Sequence, residues 1–275
     1  MVDSIWVDGS PAAALPLPDR GFDFGDGLFE TLLVVDGTAL YLDLHTRRLQ
    51  RGLAALKFPD CLNEVTGHIA TALHSLPPGE CVLRVTVTRG SGPRGYAPPP
   101  HTRPLVVIAA APRERSDYKT LLSPAHLGLA TMRWGTQPEL AGIKHLNRLT
   151  QVLAARERQA GGLDEVVMLD QQGAVISLSA ANLFIYDGDQ LLTPALGHCG
   201  IQGTRRHLVL ERLGPALGLQ IRESTLSLQQ LESAIEVFYC NALVGMRPVA
   251  SFGSKAWSSH PVCSALHRLY CEGAL

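Results

Sequence analysis

The sequence predicts an α+β fold built as two domains. Three observations carry that expectation. The 275 residues, 46% of them hydrophobic, are enough for two packed cores. Runs of strand character alternate with runs at helical spacing. One polar, charged stretch with a proline at its start, APRERSDYKT from Ala111 to Thr120, interrupts the apolar pattern. The expected division is an N-terminal α+β domain over residues 1–112, a linker over 113–120 and a C-terminal domain over 121–275.

The elements follow in chain order. TLLVVDG and TALYL read as a hairpin around Asp36-Gly37, and LHTRRLQRGLAALKF has the apolar spacing of a helix. A second helix, EVTGHIATALHSL, precedes the β-rich ECVLRVTVTRG, and RPLVVIAAA supplies a buried strand. Beyond the linker, AGIKHLNRLTQVLAA reads as an apolar helical run with Lys144 at its start. Strands follow at DEVVMLD, ANLFIY and QLLTP, then a helix from about Thr204 and a strand at IEVFYCNAL.

Composition excludes several classes of function. A net charge of -1 with 18% charged residues offers no basic stripe for nucleic acid. The N-terminus carries acids where a signal peptide needs a basic region, and no apolar run reaches the roughly 18 residues of a membrane span. A soluble, cytoplasmic protein is expected. The six cysteines show no C-x-x-C spacing and read as reduced thiols, with no metal site.

Three motifs bear on chemistry. GSGPRG (Gly90–Gly95) fits G-x-G-x-x-G, but Pro93 and Pro98–Pro100 forbid the helix on which a dinucleotide pyrophosphate would rest. A glycine-rich loop presenting Arg94 and Tyr96 is expected instead. CGIQGTRRHLVLERL places Gly200 and Gly203 before a helix whose first turn, near Thr204 and Arg205, is either an anion site or an ordinary turn. Lys144 is one of four lysines and the only one in an apolar setting. Desolvation would lower its pKa and make it a nucleophilic amine, the alternative being a lysine that snorkels to the surface.

In order along the chain, WVDG, DRGFDFGDGLFET, HTRRL, VTRGSGPRGY, LAGIKHLNRLTQVLA, DEVVMLD, SAANLF, GIQGTRR and CNALVGMRPV make the sequence resemble the fold type IV pyridoxal-phosphate enzymes. These comprise branched-chain aminotransferases, D-amino acid aminotransferases and 4-amino-4-deoxychorismate lyases, and LAGIKHLNRL with RGSGPRGY resembles the lyase branch. The resemblance implies a smaller N-terminal α/β-sandwich domain, a larger barrel-like C-terminal domain, a homodimer, and pyridoxal 5'-phosphate as cofactor. It implies elimination of pyruvate from aminodeoxychorismate to give 4-aminobenzoate for folate synthesis. An aminotransferase, or a catalytically weak cofactor-binding protein, is the alternative.

By the same resemblance, Lys144 carries the cofactor and then acts as acid and base, and Thr31 assists. Arg48 and the backbone of Thr204 and Arg205 lie at the cofactor phosphate, Asn241 near that phosphate or the substrate, and Arg148 beside the ring oxygen. Arg94, Tyr96 and Phe29 meet the substrate. The family's V-x-E glutamate, which pairs with the pyridine nitrogen, is replaced here by Ser177 in AVISLSAANLF. A serine brings no charge to keep that nitrogen protonated.

Overall fold

The run GLFETLLVV is buried along almost its whole length, as a strand covered on both faces must be, and the N-terminal sheet is assembled around it. The computed structural model describes residues 4–12, 14–113 and 117–273. They fall into two units, one made of the described residues up to Arg113 together with Ile143–Asn147, the other of Asp117–Gly142 and those from Arg148 onward.

The first unit contains β1 (Ser4–Val7), β2 (Ser10–Pro11), α1 (Arg20–Phe24), β3 (Gly27–Val35), β4 (Thr38–Ala39), α2 (Leu42–Ala55), α3 (Leu62–His74), β5 (Glu80–Thr88) and β6 (Leu105–Pro112). Its six strands pair antiparallel in the order β2-β1-β6-β5-β3-β4. Asp36 and Gly37 both take positive φ, 47° and 76°, the backbone that an Asp-Gly hairpin turn favours. The predicted TALYL strand is shorter than expected. It stops at Ala39 because Tyr41 turns left-handed (φ 56°) and α2 begins at the next residue. In α2, Leu44, His45, Arg48, Leu49, Gly52 and Leu53 form one buried face at helical spacing. Gly52 permits its close approach to β3: a Cβ there would lie 2.8 Å from the methyl groups of Leu28.

The second unit contains β7 (Ala125–Leu129), α4 (Leu149–Ala160), β8 (Glu165–Leu169), β9 (Val175–Leu178), β10 (Asn182–Tyr186) and β11 (Gln190–Pro194). Next come α5 (Thr204–Leu208), a π-helical stretch Val209–Leu213 and α6 (Gly214–Ala216), so the predicted helix is present but changes its hydrogen-bond register midway. β12 (Gln220–Ser224), α7 (Leu228–Ser233), β13 (Glu236–Asn241), β14 (Gly245–Phe252), β15 (Lys255–Ala256) and α8 (Pro261–Glu272) complete it. The sheet runs β12-β11-β10-β13-β14-β7-β8-β9, with β15 on β14. It curls into a barrel-like form: Val175 and Leu178 of β9 share one core with Leu183 and Ile185 of β10 and Leu192 of β11.

Of the run predicted as a linker, Glu114–Ser116 lie outside the described residues, while Tyr118 is buried edge-on to Tyr270 of α8. Among the described residues no helix is long and apolar enough to cross a membrane, and no cluster of His, Cys, Asp and Glu could hold a metal. All six cysteines are free thiols.

Candidate active site

Lys144 does not begin a helix; α4 starts only at Leu149. Lys144–Leu146 are extended because they pair with the edge of β3: Phe29 N–H donates to Lys144 O (2.9 Å), and Leu146 N–H donates to Gly27 O (3.0 Å). His145 lies opposite Leu28 in this bridge and shares its face, which puts Lys144 on the other face, with Phe29 and Thr31. The side chain agrees. Lys144 Nζ stands 4.3 Å from the Phe29 ring centre, a cation over an aromatic face. Arg84, which pairs across the strands with Thr31, places its guanidinium 4.0 Å from the same ring. The sequence reading missed Arg84; its signal is an arginine in an otherwise apolar strand, CVLRVTV.

Arg48 projects toward the opposite face of β3. Its Nε donates to Glu30 Oε1 (2.8 Å) and its Nη2 to Glu30 Oε2 (2.5 Å), while His45 Nδ1 lies 2.6 Å from Oε2. Arg48 is 5% exposed and Glu30 2%. Burial pushes the Glu30 carboxyl up, but the charge and hydrogen bonds of Arg48, joined by His45, outweigh it and hold the pKa at about 2. One edge of the Arg48 fork is thus committed to a carboxylate that sequence reasoning overlooked. Arg94 and Tyr96 stand exposed on the loop between β5 and β6.

In the second unit, Asn182 shapes the approach to α5. Its Oδ1 accepts from Gly203 N–H (3.0 Å) and its Nδ2 donates to Ile201 O (2.9 Å), pinning the glycine-rich loop. Gly203 must lack a side chain here, since a Cβ would sit 2.1 Å from Asn182 Oδ1. Thr204, Arg205 and Arg206 begin the helix and are all buried, and Gly203 offers no side chain to cap them. Arg205 Nη2 donates to Ala242 O (3.3 Å), beside the turn that Asn241 Oδ1 caps by accepting from Leu243 N–H (3.0 Å) and Val244 N–H (2.8 Å). Thr204, Arg205 and Asn241 therefore come together. Arg148 lies at the start of α4, where burial lowers its pKa to about 10, still leaving it charged at neutral pH.

Ser177, 4% exposed, accepts a hydrogen bond from Trp134 Nε1 (3.0 Å). An indole N–H only donates, so this bond does not use the proton on Ser177 Oγ. Two acids are buried in this unit among the described residues, Glu165 and Glu236. Ser177 pairs with Met168, and Glu165, three residues before it on β8, faces the other way. Glu165 accepts from Ser179 Oγ and Ala180 N–H, with burial raising its pKa. Glu236 accepts from Val262 and Cys263 N–H at the start of α8. Among the described residues neither acid is paired with Ser177: Glu165 is held by Ser179 and Ala180, and Glu236 by the start of α8.

This fold, with a lysine on the edge of β3 and a glycine-led helix start, is that of the class IV amino-transferases. Residues 27–252 match the amino-transferase class IV family, and the chain belongs to it. Within that family, the aminodeoxychorismate lyase of Vibrio harveyi is 33% identical over 251 residues, which cover 90% of this chain and 91% of the relative. The crystal structure of 4-amino-4-deoxychorismate lyase from Pseudomonas aeruginosa aligns with a TM-score of 0.92 at 36% identity over 98% of each chain. The branched-chain amino acid aminotransferase of Escherichia coli shares the fold, with a TM-score of 0.85 at 21% identity over 98% of this chain and 94% of that one.

Proposed function

We propose that this protein is a pyridoxal-phosphate-dependent 4-amino-4-deoxychorismate lyase. The observation that carries the proposal is Lys144, whose amine rests on Phe29 on the Thr31 face of β3, in a chain similar to two such lyases over nine-tenths or more of its length. The donor chemistry fits the cofactor: a primary amine for its aldehyde, and a buried, glycine-led helix start with Arg205 for its phosphate. Arg48, Arg148 and Asn241 are assigned to the same cofactor, and Ser177 to its ring nitrogen.

When bound, the cofactor supplies an electron sink for the bond-breaking step. Lys144 would hold it through Nζ, and the same amine, once free, would accept the proton from the ring carbon bearing the substrate amine. Thr31 Oγ1 gives a proton to the oxygen that leaves with the pyruvate carbons as the C–O bond breaks, and the ring becomes the aromatic 4-aminobenzoate. A pyruvate-coupled assay with aminodeoxychorismate and added pyridoxal phosphate tests the proposal. Amino transfer from D-alanine or a branched-chain amino acid, with no pyruvate released from aminodeoxychorismate, would replace it with an aminotransferase.

Arg94 is assigned to a substrate carboxylate, which suits its planar fork. Arg94→Ala is expected to raise KM by roughly ten- to a hundredfold, the worth of a charge-assisted bond, and to leave cofactor affinity unchanged. The opposite pattern would transfer Arg94 to the cofactor.

Ser177, with its oxygen occupied by Trp134, has its own proton to offer the ring nitrogen, and such a donor favours the unprotonated pyridine. Lyase chemistry tolerates this weaker sink because aromatisation drives it. Ser177→Glu should therefore raise any side transamination proportionally more than lyase turnover. A parallel fall of both rates, with the cofactor spectrum followed across pH, would remove Ser177 from that role.

A homodimer in the cytoplasm belongs to the same proposal. Leu149, Val152 and Leu153 leave an apolar stripe on α4 that is 77%, 52% and 40% exposed, a surface suited to a second copy. Light scattering on the purified protein measures that state directly.

A further inference from the structure

Gly92–Arg103, the loop that carries Arg94 and Tyr96, has little with which to fold itself. Pro93 and Pro98–Pro100 have no N–H to donate, and Gly95 takes a φ of 103°. Among the described residues, the hydrogen bonds that hold this loop all come from one side chain. Arg20 Nη1 donates to Gly95 O (3.0 Å) and Ala97 O (3.5 Å), and Nη2 donates to Tyr96 O (2.7 Å).

Arg20 is itself fixed. It is 4% exposed, its Nε donates to Asp26 Oδ2 (3.0 Å), and its guanidinium lies 4.9 Å from the Phe24 ring centre. Phe24 in turn meets the Tyr96 ring edge-on at 5.4 Å. Asp26 Oδ2 is also held by Arg89 Nε (2.8 Å), and Arg89 donates to Leu56 O (2.6 Å) and Lys57 O (3.2 Å) at the end of α2. A single carboxylate thus ties the loop to the helix that carries Arg48.

We infer that Arg20 is a positioning residue for substrate recognition, presenting Arg94 and Tyr96 by fixing the backbone between and after them. The inference rests on the proposed substrate role of that loop. Only a guanidinium suits the task, because its rigid fork serves the carboxylate with Nε and the carbonyls with its two terminal nitrogens. An ammonium is a single point and cannot span both. Without Arg20 the loop keeps its covalent path but loses its backbone partners, and ordering it again on substrate binding costs conformational entropy.

The test uses holoenzyme of the R20K and R20M variants, with Arg94→Ala as control. Both variants are expected to raise the substrate KM by roughly tenfold or more, as misplacement of a binding group does, with kcat changed far less and cofactor affinity unchanged. Tryptic cleavage after Arg94 should accelerate, because a backbone released by Arg20 bends more readily into a protease site. R20K keeps a cation beside Asp26 and is the variant to read should R20M fail to fold. A wild-type KM in R20K, an unchanged rate of cleavage after Arg94, or a parallel loss of cofactor affinity overturns the inference while the loop's substrate role stands. An unchanged KM in Arg94→Ala shows instead that the substrate role has failed, and the inference falls with it.

Discussion

Lys144→Ala is expected to abolish covalent attachment of pyridoxal phosphate altogether, and with it lyase turnover. The other three lysines are set apart from this role by position. Lys57 and Lys119 are exposed, and Lys255 lies on β15 over the Trp257 ring. Lys144 alone stands on the Thr31 face of β3, with its backbone held by Phe29 and its amine over that ring. The substitution keeps the backbone pairing, since those bonds use the main chain, so the fold should survive. Borohydride reduction followed by peptide mapping is the measurement. A reducible adduct at any other lysine, with turnover retained, would sink the assignment.

Much of this was legible in the sequence because the signals were local. The Asp36-Gly37 hairpin turn, the amphipathic face of α2 and the glycine-led start of α5 are each fixed by residues near one another in the chain. The apolar neighbours of Lys144 mark it in the sequence but suggest a helix where the chain is extended. Its pairing partner is β3, more than a hundred residues earlier, and such a bridge leaves no periodic trace. Shorter separations, 75 residues from Arg20 to Gly95 and 18 from Glu30 to Arg48, hid those two as well. Each is a charged residue in an ordinary-looking stretch whose partner is set by the fold: the Gly95–Ala97 carbonyls for Arg20, and one face of α2 for Glu30. Ser177 was the reverse case. The motif marked the position, and the structure supplied what the motif lacked, the Trp134 donor and the commitment of both buried acids elsewhere.

Arg48→Ala is expected to lower stability at neutral pH by about 3–5 kcal/mol, because it leaves the Glu30 carboxylate buried beside His45 without its main partner. The pH dependence gives an independent sign. In the wild type the Glu30 pKa is held below its ordinary value, so its contribution is fully present above about pH 4.5 and is lost as pH falls toward about 2. A shift of that size is worth roughly 3 kcal/mol, in line with the cost of breaking the pair. In Arg48→Ala burial acts on Glu30 with that opposition removed, so this acid-side loss should shrink or disappear. Urea unfolding from pH 7 down to pH 3 measures both effects. A change below about 1 kcal/mol at pH 7 would mean that the pair does not secure α2 on β3. The same variant bears on the cofactor. If Arg48 also grips the phosphate, affinity should fall by about ten- to a hundredfold under conditions where the protein remains folded. Glu30→Gln separates the two roles: it removes the carboxylate but leaves the arginine, so stability falls while the phosphate contact persists. Arg48→Ala with unchanged cofactor affinity would leave Arg48 as the partner of Glu30 alone, and the phosphate to the start of α5.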